Sequence, residues 1–278
     1  MNDTSTVPVT SSTLQVPGAR LHYEVRGAGP LVVLVGAPMD GRAFTPLAEL
    51  LAVDHMVLTT DPRGIFRSTV DDRGQDSTPQ QRGDDLARLI THLDAGPAVV
   101  LGSSGGAVSA LALAETRPEL VSTVIAHEPP LDELVEDRAE LRAATDDMIA
   151  TYLGGDPRGA FAKFLKIANI ELPPPVFEAI VGGERDEQSV ADEHFQYAHM
   201  LLPTVSFVPD TAMLRGNGGT RVVVGIGADS AGQLCDRTSR ALAARLDIEP
   251  TMFPGDHIGF TDDPAAFAAR LREVLAAS

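Results

Sequence analysis

The stretch Ala98-Val99-Val100-Leu101-Gly102-Ser103-Ser104-Gly105-Gly106-Ala107 decides the reading of this chain. Ala98–Leu101 is apolar without alternation, the pattern of a strand buried on both faces. Ala107–Thr116 then carries apolar residues three and four apart, as a helix does. Between the two stand Gly102, Ser104 and Gly106, spaced Gly-x-Ser-x-Gly. A serine on such a strand-to-helix turn is lifted clear of the sheet, and its small neighbours allow close backbone approach. The N–H groups at the start of the helix point to where negative charge develops. A dinucleotide-binding glycine turn is the rival reading, since Gly102, Gly105 and Gly106 also follow a strand. Such turns normally follow the first strand of a domain, and this one follows about four others.

Working outward, further apolar runs occur at Leu31–Val35, His55–Thr60, Val121–Ala126 and Arg221–Ile226, with a last strand at Glu249–Phe253. Alternation at Leu14–Val16 and Leu21–Val25 predicts two antiparallel strands joined at Pro17-Gly18. Helical spacing recurs at Phe44–Leu51, Asp84–Leu93, Leu234–Leu246 and Pro264–Leu275. Strand and helix alternate, so the expected core is a mostly parallel sheet of eight strands with helices on both faces. The rhythm breaks at 131–214, which has helical segments and proline clusters but no buried strand. We therefore expect an α/β core over 12–130 and 215–278, a helical cap at 131–214, and an N-terminal tail at 1–11. The glycine-rich segment Arg215-Gly216-Asn217-Gly218-Gly219 is expected to return the chain to the core.

Composition bounds the function. The chain has 278 residues, 44% of them hydrophobic, which is ample for a core. Lys+Arg of 22 against Asp+Glu of 39 gives a net charge of -17. That surface repels phosphate backbones and anionic headgroups, so neither nucleic acid nor membrane is an expected partner. No apolar run reaches the ~20 residues of a membrane span, and no signal peptide is visible. A cytoplasmic monomer or homodimer is the expectation. The single cysteine, Cys235, excludes an internal disulfide or a thiolate metal cage and reads as a small core hydrophobe.

Four more segments carry candidate chemistry: Leu34-Val35-Gly36-Ala37-Pro38, Asp61-Pro62-Arg63-Gly64-Ile65-Phe66-Arg67-Ser68, Ala126-His127-Glu128-Pro129-Pro130, and Pro254-Gly255-Asp256-His257-Ile258-Gly259. A glutamate ending an apolar strand and pinned by two prolines is costly to place without a partner. His22, His55, His92, His194 and His199 lie at strand starts, in a helix or in the cap, and read as structural.

With these segments in place the chain resembles the α/β-hydrolase fold family from about Leu14 to Leu275. The resemblance implies that Ser104 is the nucleophile and His257, in the loop after the last strand, its general base. It implies an oxyanion hole made by the N–H groups of Ala37 and Gly105; Pro38 has no N–H to offer. The family often has His-Gly where this chain has Val35-Gly36, and a glycine where it has Phe66 in the structural turn that Asp61 opens. The acid usually follows the seventh strand, where Asp229 stands, but some relatives carry it after the sixth, where Glu128 stands. Glu128 is preferred, because Asp229 also reads as the N-cap of a helix starting at Ser230, while Asp256 reads as a loop-shaping residue. The pairing of Gly-x-Ser with His-Glu-x-Pro is also similar to zearalenone-type lactone hydrolases.

The implied activity is cleavage of a small hydrophobic ester or lactone through an acyl-enzyme, without metal or cofactor. A macrocyclic lactone such as zearalenone is the specific form. Phe161, Phe164, Phe177, Phe195, Tyr197, Met200 and Phe207 offer apolar surface for the pocket. The same fold also hosts lyases and cofactor-free haloperoxidases or perhydrolases, and a non-catalytic binding protein is the remaining alternative.

Overall fold

The computed structural model describes residues 7–216 and 219–277. Its sheet strands are β1 (Val9–Val16), β2 (Ala19–Arg26), β3 (Leu31–Val35), β4 (Met56–Thr60), β5 (Thr69–Val70), β6 (Ala98–Ser103), β7 (Val121–His127), β8 (Arg221–Gly227) and β9 (Thr251–Phe253). They form one sheet in the order β1-β2-β4-β3-β6-β7-β8-β9, with β5 paired to β2. The pairs from β4 to β9 are parallel, while β1 and β5 run antiparallel to β2 and β2 to β4.

The unbroken apolar runs became strands because both faces of the sheet are covered. Along β3, Leu31, Val33 and Val35 join one core layer with Leu86, Leu111 and Leu242, whereas Val32 and Leu34 join the opposite layer with Leu47, Phe267 and Leu271. The covering helices are α1 (Thr45–Leu51), α2 (Pro79–Leu93), α3 (Gly105–Thr116) and, beyond the helical segment described next, α10 (Leu234–Leu246) and α12 (Pro264–Ala276). Each fully buried Leu, Val or Phe contributes about 1.5–3 kcal/mol of burial free energy, so this double layer is the main source of stability.

Between β7 and β8 the described residues form helices and turns only: α4 (Arg138–Leu153), α5 (Pro157–Ala168), α6 (Pro174–Val181), α7 (Glu187–Phe195), a π turn at Gln196–Met200, α8 (Leu201–Val205) and α9 (Thr211–Gly216). A short α11 (Gly259–Asp262) precedes α12.

Two expectations change. The sheet has nine strands rather than eight, because Thr69–Val70 adds a two-residue edge against Ala19 and Arg20, too short to leave a periodicity. The first strand starts at Val9, inside the supposed tail of 1–11; Val9 pairs with Arg26 and Ser11 with Glu24. Its outer residues are exposed, so backbone pairing and not burial defines it. Asn217 and Gly218 of the expected return segment lie outside the described residues, as do residues 1–6 of the tail.

Candidate active site

Ser104 stands between the end of β6 and the first residue of α3, with φ 57° and ψ -127°. A non-glycine residue there carries roughly 1–3 kcal/mol of backbone strain, and the neighbours hold it in place. Its N–H donates to the His127 carbonyl oxygen at 3.0 Å. A Cβ on Gly106 would sit 2.2 Å from the Val35 carbonyl oxygen, and one on Gly102 2.4 Å from that of Gly106. Only glycine fits at either position, which is the physical content of the Gly-x-Ser-x-Gly spacing.

Strand β7 pairs with β6 so that His127 lies opposite Ser103. Glu128 is therefore delivered to the carboxyl edge of the sheet one strand from Ser104. It is fully buried, and its backbone also turns left-handed, at φ 52°. Its N–H donates to the Gly225 carbonyl oxygen at 3.0 Å, and its Oε1 accepts the Gly227 N–H at 2.8 Å. Its Oε2 lies 2.6 Å from His257 Nδ1, a short charge-assisted hydrogen bond. Burial alone would raise the Glu128 pKa, but the bond to His257 and the nearby imidazoles hold it below the ordinary value. Burial alone would lower that of His257, yet the Cys235 sulfur and the Glu128 carboxylate together raise it.

Asp229 is exposed on the turn after β8, where its N–H donates to the Gly255 carbonyl oxygen. Helix α10 begins at Leu234 with Gln233 at its N-cap, so Asp229 caps no helix; the extra turn at 227–230 keeps it outside. Asp256 shapes its loop by accepting the Ile258 N–H at 2.9 Å. His127 is a core residue, fully buried with its ring edge-on to those of Phe253 and Phe267. The other histidines lie away from the site: His92 meets the Tyr23 hydroxyl, His199 meets Asp76, His55 meets Asp54, His22 meets Ser11, and His194 is exposed beside the Tyr152 ring.

Ser104, His257, Ala37 and Gly105 line a cavity of about 260 Å³ roofed by α4, α5, the π turn and α8. The Gly105 N–H lies in the first turn of α3, where no intrahelical acceptor exists. A Cβ on Gly105 would lie 2.6 Å from the Ala37 carbonyl oxygen, so the two expected oxyanion-hole residues are immediate neighbours. Of the seven aromatic and methionine side chains expected at the pocket, only Phe164 and Met200 line it. Tyr197 stacks on Tyr152 with centroids 4.2 Å apart, Phe161 on Phe177, and Phe207 joins the main core. The helices need those rings to pack against each other.

Phe66 is not at the cavity. It takes φ 50°, which explains why glycine is the usual residue in that turn. Its N–H donates to Asp192 and its ring sits 3.7 Å beneath the Arg42 guanidinium. Buried Asp61 organises the same turn, accepting from the Gly41 N–H and from Arg67.

Two titratable side chains of the cavity were not read as pocket residues from the sequence. Cys235 is half-buried rather than core, and its Sγ, a His257 ring nitrogen and a Glu128 oxygen lie within 4.8 Å of one another. The start of α10 faces the cavity, and no local pattern marks that. Asp132, in the 3-10 turn Asp132–Leu134, is the other.

A strained serine turn between strand and helix, a buried carboxylate–imidazole pair and a mostly parallel sheet covered on both faces stand together in this chain. The chain belongs to the α/β-hydrolase family, whose sequence pattern matches residues 31–270. It is 30% identical over 279 aligned positions to the Uncharacterized hydrolase YraK of Bacillus subtilis (strain 168), covering 96% of each chain. Among solved structures it is similar to a thermophilic esterase from Thermogutta terrifontis, with TM-score 0.70, 23% identity and coverage of 97% and 98% of the two chains. It is equally similar to a putative epoxide hydrolase from Pseudomonas aeruginosa, with TM-score 0.69, 23% identity and coverage of 97% and 96%. These two likenesses concern the fold. Among the described residues no helix is long and apolar enough to cross a membrane.

Proposed function

We propose that the protein is a serine hydrolase that cleaves a carboxylic ester or lactone through an acyl-enzyme, with Ser104, His257 and Glu128 as its triad. The observation that carries this reading is the 2.6 Å contact between His257 Nδ1 and Glu128 Oε2, on a histidine that shares its cavity with Ser104. A proton on Nδ1 is held by the carboxylate, which leaves Nε2 as the basic nitrogen. Nε2 takes the Ser104 hydroxyl proton as Oγ attacks the substrate carbonyl carbon. The Ala37 and Gly105 N–H groups receive the oxyanion, each contributing about 3 kcal/mol. Glu128 stabilises the imidazolium so formed. The imidazolium then protonates the leaving alcohol, and a water molecule, deprotonated in the same way, releases the acid and frees Ser104.

The cavity walls are largely apolar, with Met148, Ile167, Met200, Leu201 and Val205 among them, which favours an uncharged hydrophobic ester. A macrocyclic lactone is the special case that the sequence resemblance suggests. The helices over the cavity act as its cap.

The test is intact-mass spectrometry after treatment with a small fluorophosphonate, followed by peptide mapping. Label confined to Ser104, and lost in His257→Ala, is the expected result. Label elsewhere, or equal labelling of His257→Ala, would rule out this triad.

A further inference from the structure

Asp132 is 5% exposed, yet it forms part of the wall of the cavity that holds Ser104 and His257. Its Oδ1 is buried and has no hydrogen-bond partner among the described residues. The surroundings offer it little. Pro130, Leu234 and Ile167 line the same cavity, as do Thr145 and Gln233, and among the described residues neither of these two polar side chains is hydrogen-bonded to Oδ1. Of the charged groups nearest to it, Glu133 and Asp137 repel its anion, and the one attractive cation, Arg237 of α10, is already hydrogen-bonded to Asp137. Burial together with the two acids pushes the Asp132 pKa up to about 7. A buried carboxyl oxygen with no partner is costly to keep, and the residue that carries it belongs to the wall of the space proposed for the substrate.

Resting on the reading of the site as an ester hydrolase, we propose that Asp132 is a specificity residue whose carboxyl group accepts a hydrogen bond from a hydroxyl of the substrate. The preferred substrate class is then an otherwise apolar ester or lactone that carries a free hydroxyl away from the scissile bond. A hydroxyl fits better than an ammonium group. It can donate to the carboxyl group whether that group is neutral or ionised, whereas a cation needs the ionised form that burial and the two neighbouring acids oppose.

The test uses matched esters differing by one hydroxyl on either side of the scissile bond: phenethyl acetate with 4-hydroxyphenethyl acetate, and p-nitrophenyl hexanoate with its 6-hydroxy analogue. In the wild type, kcat/KM for the hydroxylated member of at least one pair is expected to be higher by about tenfold, the worth of one well-made hydrogen bond. In Asp132→Leu that ratio falls to within about twofold, and in Asp132→Asn it is intermediate. A ratio that survives in Asp132→Leu, no preference in the wild type, or a preference for the matching amine over the hydroxyl overturns the proposal.

Thermal denaturation in the presence of phenethyl alcohol and 4-hydroxyphenethyl alcohol separates this claim from the ester reading. Stabilisation selective for the second alcohol, lost in Asp132→Leu, supports the hydroxyl subsite even if no ester is cleaved and Ser104 takes no label. Equal stabilisation by the two alcohols in the wild type counts against it. Wild-type circular dichroism of the variant guards against misfolding; should Asp132→Leu fail to fold, Asp132→Asn carries the same comparison.

Discussion

Acid should unfold this protein in part through His127, a residue with no part in the proposed chemistry. The ring is fully buried; among the described residues its Nε2 has no hydrogen-bond partner and its Nδ1 reaches only the Ser103 hydroxyl, at 3.4 Å. Phe253, Phe260 and Phe267 meet it edge-on. Burial is the largest influence on it. The Glu128 and Asp256 carboxylates favour the cation and His257 opposes it, and the net result lowers its pKa from 6.5 to about 4. As pH falls below 6.5 the unfolded chain gains a proton at this position and the folded chain does not. Stability linked to His127 is therefore fully present above pH 6.5 and drains away as pH falls towards 4. Each tenfold difference in proton affinity is worth about 1.4 kcal/mol, so the loss by pH 4 reaches about 3 kcal/mol. Urea unfolding of the wild type and of His127→Gln between pH 8 and 4 measures it. The substitution has its own packing cost, which displaces the whole curve; only the change in slope reports titration. The wild type is expected to lose about 3 kcal/mol more than the variant over this range. Parallel curves would mean that the folded protein protonates His127 freely, and the burial argument would fail.

The choice of acid can be tested directly. Glu128→Gln keeps the shape but not the charge, and should lower kcat on an activated ester by roughly 10³–10⁴; Asp229→Ala should leave it within about threefold, since nothing links that exposed side chain to His257. The opposite ranking in steady-state kinetics would return the role to Asp229. Arg63 and Asp85 form a buried bidentate pair at 2.7 and 2.5 Å. Asp85→Ala strands the guanidinium at a cost of about 3–5 kcal/mol, so calorimetry should find the melting midpoint lower by roughly 10 °C. A midpoint within about two degrees would show that the pair contributes little.

The parallel core was legible because covering a sheet on both faces writes itself into the chain as unalternating runs such as Leu31–Val35 and Val121–Ala126. Gly102 and Gly106 were legible because the contacts a Cβ would make there leave no other residue. Glu128 could be read from the cost of burying a carboxylate at a strand end, and the sheet register then sets it beside Ser104. What stayed hidden depends on how separate elements meet. The exposed half of β1 is held by backbone pairing, which leaves no hydrophobic pattern. Phe161 and Tyr197 look like pocket residues until the helices pack, and then they face one another. Cys235 reads as core because its helix is amphipathic, yet the first turn of that helix opens onto the cavity. Asp132 is an ordinary turn residue in the sequence, and only the closing of α4 and α10 around it makes its carboxyl conspicuous.

Glu128 and Asp132 stand on the same five-residue bridge, Glu128-Pro129-Pro130-Leu131-Asp132, which is also where the chain leaves the sheet for its helical insertion. One end is moored to β8 through Gly225 and Gly227, and the Pro129 carbonyl oxygen accepts the Thr238 hydroxyl of α10 at 2.7 Å. The bridge thus works as a shared chassis, carrying the carboxylate that holds the His257 ring and a second carboxyl in the wall of the cavity. Exchanging the insertion for one of another shape can therefore recast the roof of the cavity while the histidine keeps its footing, provided the splice falls after Leu134.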